Sequence, residues 1–205
     1  MFCLKVPTDP GWVVEAMRDV DAVLRDHAHC EMKAATNALS LAARHPRDVA
    51  LLRALTDLAR EEIDHFQQVL TLLQQRGIDL GSPPVDEYAA ALRRASSALP
   101  RDPAIPVLVD RLLVAALIEA RSCERFKLLV DAFAPLRPAS DELHALYKEL
   151  FAAEARHYRT FVDLATAAGD GDVERVTARL EILAEREGAI VQSLARGAAR
   201  ATVHG

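Results

Sequence analysis

Two copies of one short pattern, a glutamate followed three residues later by a histidine, constrain this chain more than any other feature. One copy is formed by Glu62 and His65, and the other by Glu154 and His157. An α-helix completes a turn in about 3.6 residues, so side chains three residues apart leave nearly the same face. Each copy therefore predicts a helix that presents a carboxylate and an imidazole side by side.

Two further glutamates complete an ordered set. Glu31 precedes the first pair, and Glu119 lies between the two pairs and precedes the second. The order Glu, Glu-x-x-His, Glu, Glu-x-x-His is the ligand order of carboxylate-bridged di-iron and di-manganese sites in four-helix bundles. The pattern predicts a metal centre with six ligands: Glu31, Glu62, His65, Glu119, Glu154 and His157.

The heights of the acids along their helices support this prediction. Glu31 and Glu62 lie almost equally far along the chain from the turn expected at Pro46. In the second hairpin, Glu119 and Glu154 lie almost equally far from the turn expected at Arg137. Because a helix rises about 1.5 Å per residue, the acids of each hairpin are level to within a few ångströms. Coincidental acids would not be level in both hairpins.

Glu124 is the main competitor for the ligand position on the third long helix. It lies closer to the second turn than Glu119 does, about one helical turn out of level with Glu154, so Glu119 is the preferred ligand. Four carboxylates on apolar helix stripes would cost many kcal/mol without compensating charge. Two divalent cations balance them, and oxygen with imidazole ligands suits iron or manganese.

The spacing of apolar residues predicts an all-α fold, a ferritin-like four-helix bundle. A long crossover, with a shorter helix at about 86–98, joins the second and third core helices. The residues before 19 are expected to be a lead-in with a helical turn at about 12–17, and the tail beyond Gly197 is expected to fray. The whole chain, 1–205, is predicted to be a single domain. Its core helices are expected at about 19–44, 48–76, 106–133 and 140–168, and an extra C-terminal helix at about 173–196.

Composition agrees with a helical protein and restricts its partners. The chain is 51% hydrophobic with only 5% aromatic residues, which favours helices. No apolar run is long enough to cross a membrane and no signal peptide is evident, so we expect a cytoplasmic protein. A net charge of −5 argues against general coating of nucleic acid. However, 21 of the 25 basic residues are arginine, which suits a local phosphate-binding patch.

The segments around the predicted ligands resemble the MiaE family of tRNA hydroxylases. The resemblance is carried by residues 26–35 (DHAHCEMKAA), 61–66 (EEIDHF), 117–126 (LIEARSCERF) and 154–158 (EARHY). It implies a ferritin-like, non-haem di-iron enzyme that uses O₂ to hydroxylate the isopentenyl group of 2-methylthio-N6-isopentenyladenosine in tRNA. It also implies that the same six residues bind two iron ions.

The resemblance further implies a tRNA substrate and an external electron donor of the reductase or ferredoxin type. Five basic residues are the first candidates for phosphate contacts: Arg121, Arg125, Lys127, Arg156 and Arg159. Two other functions remain open from the residues alone. One is a ferritin-like di-iron oxidase or peroxidase acting on a small substrate, and the other is a metal-free helical interaction module. The oligomeric state is not predicted.

Overall fold

The computed structural model of the chain describes residues 2–195 and 203. Within these residues there is no strand, and the predicted all-α class is confirmed. The expectations for the last residue of the final helix and for the tail beyond Gly197 lie outside the described residues, apart from Val203. The helices are α1 (Pro10–Arg18), α2 (Val20–Arg44), α3 (Val49–Gln75), α4 (Glu87–Ser97), α5 (Val107–Phe133), α6 (Asp141–Ala168) and α7 (Val173–Ala195), with a short 3-10 helix (Ala134–Leu136) after α5.

Aspartate side chains cap the start of four of these helices, and in three of them the capping distance is the same. Asp19, Asp48 and Asp86 each accept a hydrogen bond from the backbone N–H three residues later, at 2.9 Å. Each bond satisfies an amide that has no partner inside its helix. At the other end of α3, Gly77 adopts a positive φ of 68°. The amide of Ile78 then reaches the carbonyl of Leu73 at 2.9 Å, which closes the helix as predicted.

The start of α6 differs in detail from the sequence expectation. Ser140 lies at the predicted cap position, but its side chain makes no capping hydrogen bond. Its hydroxyl instead donates to the carbonyl of Phe133 at 2.9 Å, which ties the start of α6 to the end of α5. Asp141 and Glu142 lie in the first turn of α6, where their negative charges interact favourably with the positive end of the helix dipole.

The helices form two compact units. The first, the α2–α3 unit, comprises residues 18–85 together with Val203. Its two helices pack along their length as a hairpin. An ion pair of 2.9 Å between Arg76 and Asp21 joins the end of α3 to the start of α2, so the helices are antiparallel. The acids predicted on either side of Pro46 therefore face each other within this hairpin.

The second, the α4–α7 unit, comprises residues 2–17 and 86–195. Helices α5 and α6 form its long hairpin, and α4 and α7 pack against α5. Helix α5 is consequently buried on more than one face, and Leu113 and Leu117 are fully buried. Gly188 of α7 allows the N-terminal segment to approach closely, because a Cβ atom there would lie 2.8 Å from Val6 Cγ2.

None of the described helices combines the length and the apolar character that crossing a membrane requires. The single domain over residues 1–205 stays a prediction.

Candidate metal centre

The α2–α3 unit brings together all three of its predicted ligands. Glu31, Glu62 and His65 are 4%, 0% and 6% exposed, respectively. Their ligand atoms lie within 4.8 Å of one another. His65 Nδ1 lies 3.4 Å from a Glu62 carboxylate oxygen and 3.9 Å from one of Glu31. Two carboxylates and one imidazole thus converge from two helices into the interior of this unit.

His27 is a neighbour of this group that the sequence analysis did not assign to the site. It lies one helical turn before Glu31 and is fully buried. Its Nε2 atom is 2.6 Å from Glu31 Oε1, a hydrogen-bonding distance that fixes the orientation of that carboxylate. The signal that could have identified it is the spacing of four residues, which places a histidine beside a glutamate on one face of α2.

The α4–α7 unit carries the other three predicted ligands. Glu119 on α5 is 5% exposed, and Glu154 and His157 on α6 are each 3% exposed. Glu119 and His157 offer ligand atoms within 4.8 Å of each other. Glu154 lies one turn before His157 on the same helix. Each unit therefore carries two of the predicted glutamates and one of the predicted histidines, all of them buried.

Cys123 lies one turn after Glu119 on α5 and is fully buried. Burial, reinforced by the negative charge of Glu119, raises the pKa of its thiol to about 12. The thiol hydrogen-bonds to the carbonyl of Phe151 at 3.4 Å. A thiol with this pKa is protonated at neutral pH and is a poor nucleophile.

Glu124, the competing acid on α5, has a different role. Thr8 donates to its carboxylate from the backbone amide at 3.2 Å and from the hydroxyl at 2.7 Å. Arg121 forms an ion pair with the same carboxylate. Glu124 therefore anchors the N-terminal segment, and Glu119 is the acid on α5 that accompanies the histidine of α6.

Arg121 is the centre of a buried polar network, which differs from its expected role as a phosphate contact. It is 0% exposed, and two of its guanidinium nitrogens donate to Glu187 of α7 at 2.9 Å each. Tyr88 of α4 also donates to Glu187, at 2.9 Å. A further hydrogen bond of 2.9 Å runs from Arg121 to the carbonyl of Val6. Burial opposes the charge of Arg121, but the adjacent Glu187 keeps its pKa above the usual value.

Arg125 is also buried, at 6% exposure, and its guanidinium carbon lies 5.0 Å from the centre of the Trp12 ring. Burial and the nearby charge of Arg121 lower the pKa of Arg125 to about 10. Burial thus places Arg121 and Arg125 in the interior of the α4–α7 unit. The other three basic residues predicted to contact phosphate, Lys127, Arg156 and Arg159, are exposed.

The family is decided by comparison with known proteins. The family profile described as tRNA-(MS[2]IO[6]A)-hydroxylase (MiaE) matches residues 1–200. This chain belongs to the MiaE family.

Two curated relatives carry the name tRNA 2-(methylsulfanyl)-N(6)-isopentenyladenosine(37) hydroxylase. The protein from Pseudomonas putida is 40% identical over 191 residues, which cover 93% of this chain and 87% of the relative. The protein from Salmonella typhimurium is 30% identical over 240 aligned positions, covering 93% of this chain and 84% of the relative. Members of the MiaE family with these names are enzymes that modify tRNA.

A solved structure is similar along the whole chain. It is protein 43 with aldehyde deformylating oxygenase activity from Synechococcus, with a TM-score of 0.86 and 37% sequence identity. The match covers 100% of this chain and 96% of that one. The predicted ferritin-like fold is therefore confirmed for this member of the MiaE family.

Proposed function

We propose that this protein is a di-iron monooxygenase that hydroxylates the isopentenyl group of 2-methylthio-N6-isopentenyladenosine in tRNA. Membership of the MiaE family across residues 1–200 is the observation that carries the proposal. The buried glutamates and histidines of the two units support it, because they are the residue types that the chemistry needs. The tRNA substrate implies a cytoplasmic enzyme.

Two iron ions would be held by the six predicted ligands, and residues 1–205 would act as a single ferritin-like di-iron domain. Four carboxylates supply four negative charges, which two divalent ions balance, and neutral imidazoles complete the ligand set. Manganese would satisfy the same oxygen and nitrogen donors. When bound, the metal ions activate O₂ for attack on a C–H bond. His27 contributes by holding Glu31 in one orientation through the contact of 2.6 Å.

The overall reaction defines the partners. One C–H bond of the isopentenyl group is replaced by C–OH. One oxygen atom of O₂ enters that hydroxyl group, and the other leaves as water. This balance requires two electrons and two protons, and an external donor of the reductase or ferredoxin type supplies the electrons. Because the chain has a net charge of −5, tRNA binding depends on local basic groups such as Lys127, Arg156 and Arg159.

The experiment combines metal analysis with a product assay. Protein reconstituted anaerobically with Fe(II) is expected to retain two ions per chain. The reduced protein then receives O₂, an electron source and tRNA that carries the prenylated adenosine. Mass spectrometry of the nucleosides is expected to show a gain of one oxygen on that adenosine. Uptake of fewer than two ions, or consumption of O₂ without this product, would contradict the proposal.

The second candidate is an oxygenase that acts on a small substrate, and the Synechococcus structure is the observation that favours it. The name of that protein gives aldehyde deformylating oxygenase activity at 37% identity to this chain. The same reconstituted protein should therefore be offered an aldehyde in a parallel reaction. Turnover of the aldehyde, with the prenylated tRNA unchanged, would favour the small-substrate oxygenase.

A further inference from the structure

The connection between α4 and α5 forms one wall of a surface cleft within the α4–α7 unit. The cleft has a volume of about 280 Å³. Apolar side chains, including the buried Leu99, form part of its lining. Its ionisable groups come from the connection, from the first turns of α5 and from α7, and they are Arg101, Asp102, Asp110, Arg111 and Arg179.

One pair of these charges is fixed and neutralised. Arg179 Nε donates to Asp110 Oδ1 at 2.7 Å, and Arg179 Nη2 donates to Asp110 Oδ2 at 2.8 Å. This two-point contact holds the arginine in one orientation. The third nitrogen, Nη1, lies 3.4 Å from the carbonyl of Pro100. The Arg179–Asp110 pair therefore joins α7 to α5 and to the connection, and it forms a rigid side of the cleft.

The other two arginines have no such role. Arg101 and Arg111 are exposed, and within the described part of the chain neither side chain makes a hydrogen bond or an ion pair. The hydroxyl group of Ser96, at the end of α4, is likewise without a hydrogen bond to the described residues. Three arginines against two aspartates leave one net positive charge at the cleft. The cleft side chains without a partner among the described residues are thus two guanidinium groups and a hydroxyl group. These groups are hydrogen-bond donors suited to a phosphate oxygen.

The backbone on either side of Arg101 is restricted. Pro100, Pro103 and Pro106 restrict the backbone around it, because the ring of each proline confines its own φ to a narrow range. The Asp102 side chain accepts from the amide of Ala104 at 2.9 Å, and the Asp102 carbonyl accepts from the amide of Ile105 at 3.0 Å. An ordered turn reduces the entropy lost when a ligand is bound.

We propose that this cleft binds a phosphodiester group of the tRNA backbone through Arg101 and Arg111. The inference rests on the proposed function, because it names a contact for the same substrate. Exposed guanidinium groups beside an open cleft suit one group of a continuous polyanion, whose binding releases counterions. This contact would help an acidic protein to bind tRNA, and it is separate from the basic residues of α5 and α6 that were predicted to contact phosphate.

The test compares two charge-matched double variants. Arg101→Gln with Arg111→Gln alters the cleft. Arg47→Gln with Arg53→Gln removes two arginines that are likewise exposed from the α2–α3 unit, where neither side chain has a partner among the described residues. Binding of prenylated tRNA is measured by fluorescence anisotropy between about 50 and about 200 mM salt. Iron content and the melting temperature are measured on the same samples.

The cleft variant is expected to bind tRNA at least about ten-fold more weakly in low salt. The slope of log affinity against log salt concentration should fall by about 1, since one phosphate is contacted and each neutralised phosphate contributes about 1. The control variant should keep the parent slope, and both variants should keep parental iron content and melting temperature. An unchanged affinity and slope in the cleft variant, alongside tight binding and hydroxylation by the parent, would overturn the inference and leave the proposed function intact.

Two further outcomes are also decisive. If the parent protein binds no tRNA, the inference and the proposed function both fail. Calorimetric titration with inorganic phosphate distinguishes the other source of the same chemistry. Suppose that the parent protein binds phosphate, and that the cleft variant loses this binding but keeps the parental affinity for tRNA. The cleft would then be assigned to a free anion, and the tRNA contact would be rejected.

Discussion

Replacing Arg121 with methionine should destabilise the protein through the charge that it leaves behind. The guanidinium group and its partner Glu187 are both 0% exposed. In the Arg121→Met variant, Glu187 loses two donors at 2.9 Å and keeps the Tyr88 hydroxyl at 2.9 Å. The carbonyl of Val6 and the carboxylate of Glu124 lose a donor as well. The variant therefore buries an anion with incomplete hydrogen bonding.

The magnitude follows from the burial of both partners. Removing one member of a buried ion pair costs about 3–5 kcal/mol of unfolding free energy. For a chain of this size each kcal/mol lowers the melting temperature by about 2–4 °C, so a fall of about 10 °C is expected. Arg111→Met is the control, because that arginine is exposed and has no partner among the described residues. It should change the unfolding free energy by less than about 0.5 kcal/mol.

The loss of unfolding free energy in the Arg121→Met variant should also depend on pH in a defined direction. Burial raises the pKa of Glu187, and the contacts from Arg121 oppose that rise. Without Arg121 the opposition weakens, so the pKa of Glu187 in the folded variant rises further. A carboxyl group with a raised folded pKa contributes stability below its unfolded pKa and loses it as pH rises through the folded pKa. The difference in unfolding free energy between the parent protein and the variant should therefore be smallest at acid pH and should grow towards neutral pH.

Urea denaturation, followed by circular dichroism at about pH 5 and about pH 8, measures this deficit directly. The double variant with Arg121→Met and Glu187→Leu removes both charges and should recover much of the lost stability. A loss below about 1 kcal/mol at the higher pH would refute the reasoning. So would a deficit that is larger in acid than at neutral pH.

Three further predictions concern the metal centre and its surroundings. Glu119→Ala should no longer retain two iron ions. Glu124→Ala should retain both ions but have a lower melting temperature. An iron titration that gives the reverse order would contradict the ligand assignment. His27→Ala should weaken iron binding by about 10- to 100-fold, because the Glu31 carboxylate loses its orienting contact, and competition with a chelator measures this. Cys123, whose pKa is raised to about 12, should resist alkylation in the native protein and react after unfolding in urea; equal rates in both states, followed by mass spectrometry, would exclude a protected thiol.

The positions of the helices were largely predictable because the residues that start and end each helix are local signals. The helix expected at about 48–76 is α3, Val49–Gln75, and its bounds follow from Asp48 at one end and Gly77 at the other. The burial of all six predicted ligands was also accessible from sequence, since each lies on the apolar stripe of its own helix. These features need no knowledge of distant contacts.

Arg121 could not be placed in the same way, because its environment comes from distant segments. Periodicity along α5 identifies one buried face, but α4 and α7 cover a second face. The available signal was weak: Leu113 and Leu117 precede Arg121 on a second apolar stripe, and Glu187 lies among buried residues of α7. Pairing an arginine with a glutamate 66 residues away requires the tertiary fold.

The same long separation has a consequence for biosynthesis. Arg121 donates hydrogen bonds to the carbonyl of Val6, 115 positions earlier, and to the carboxylate of Glu187, 66 positions later. On the ribosome, the hairpin of α2 and α3 has its full sequence as soon as residue 85 has emerged. Arg121, at the centre of α5, can pair with Glu124 on its own helix, but it lacks its fully buried partner Glu187 until most of α7 has been made. Completion of the α4–α7 unit is thereby deferred until α7 has been synthesised, and a nascent chain that stops before Glu187 lacks the partner needed to bury Arg121.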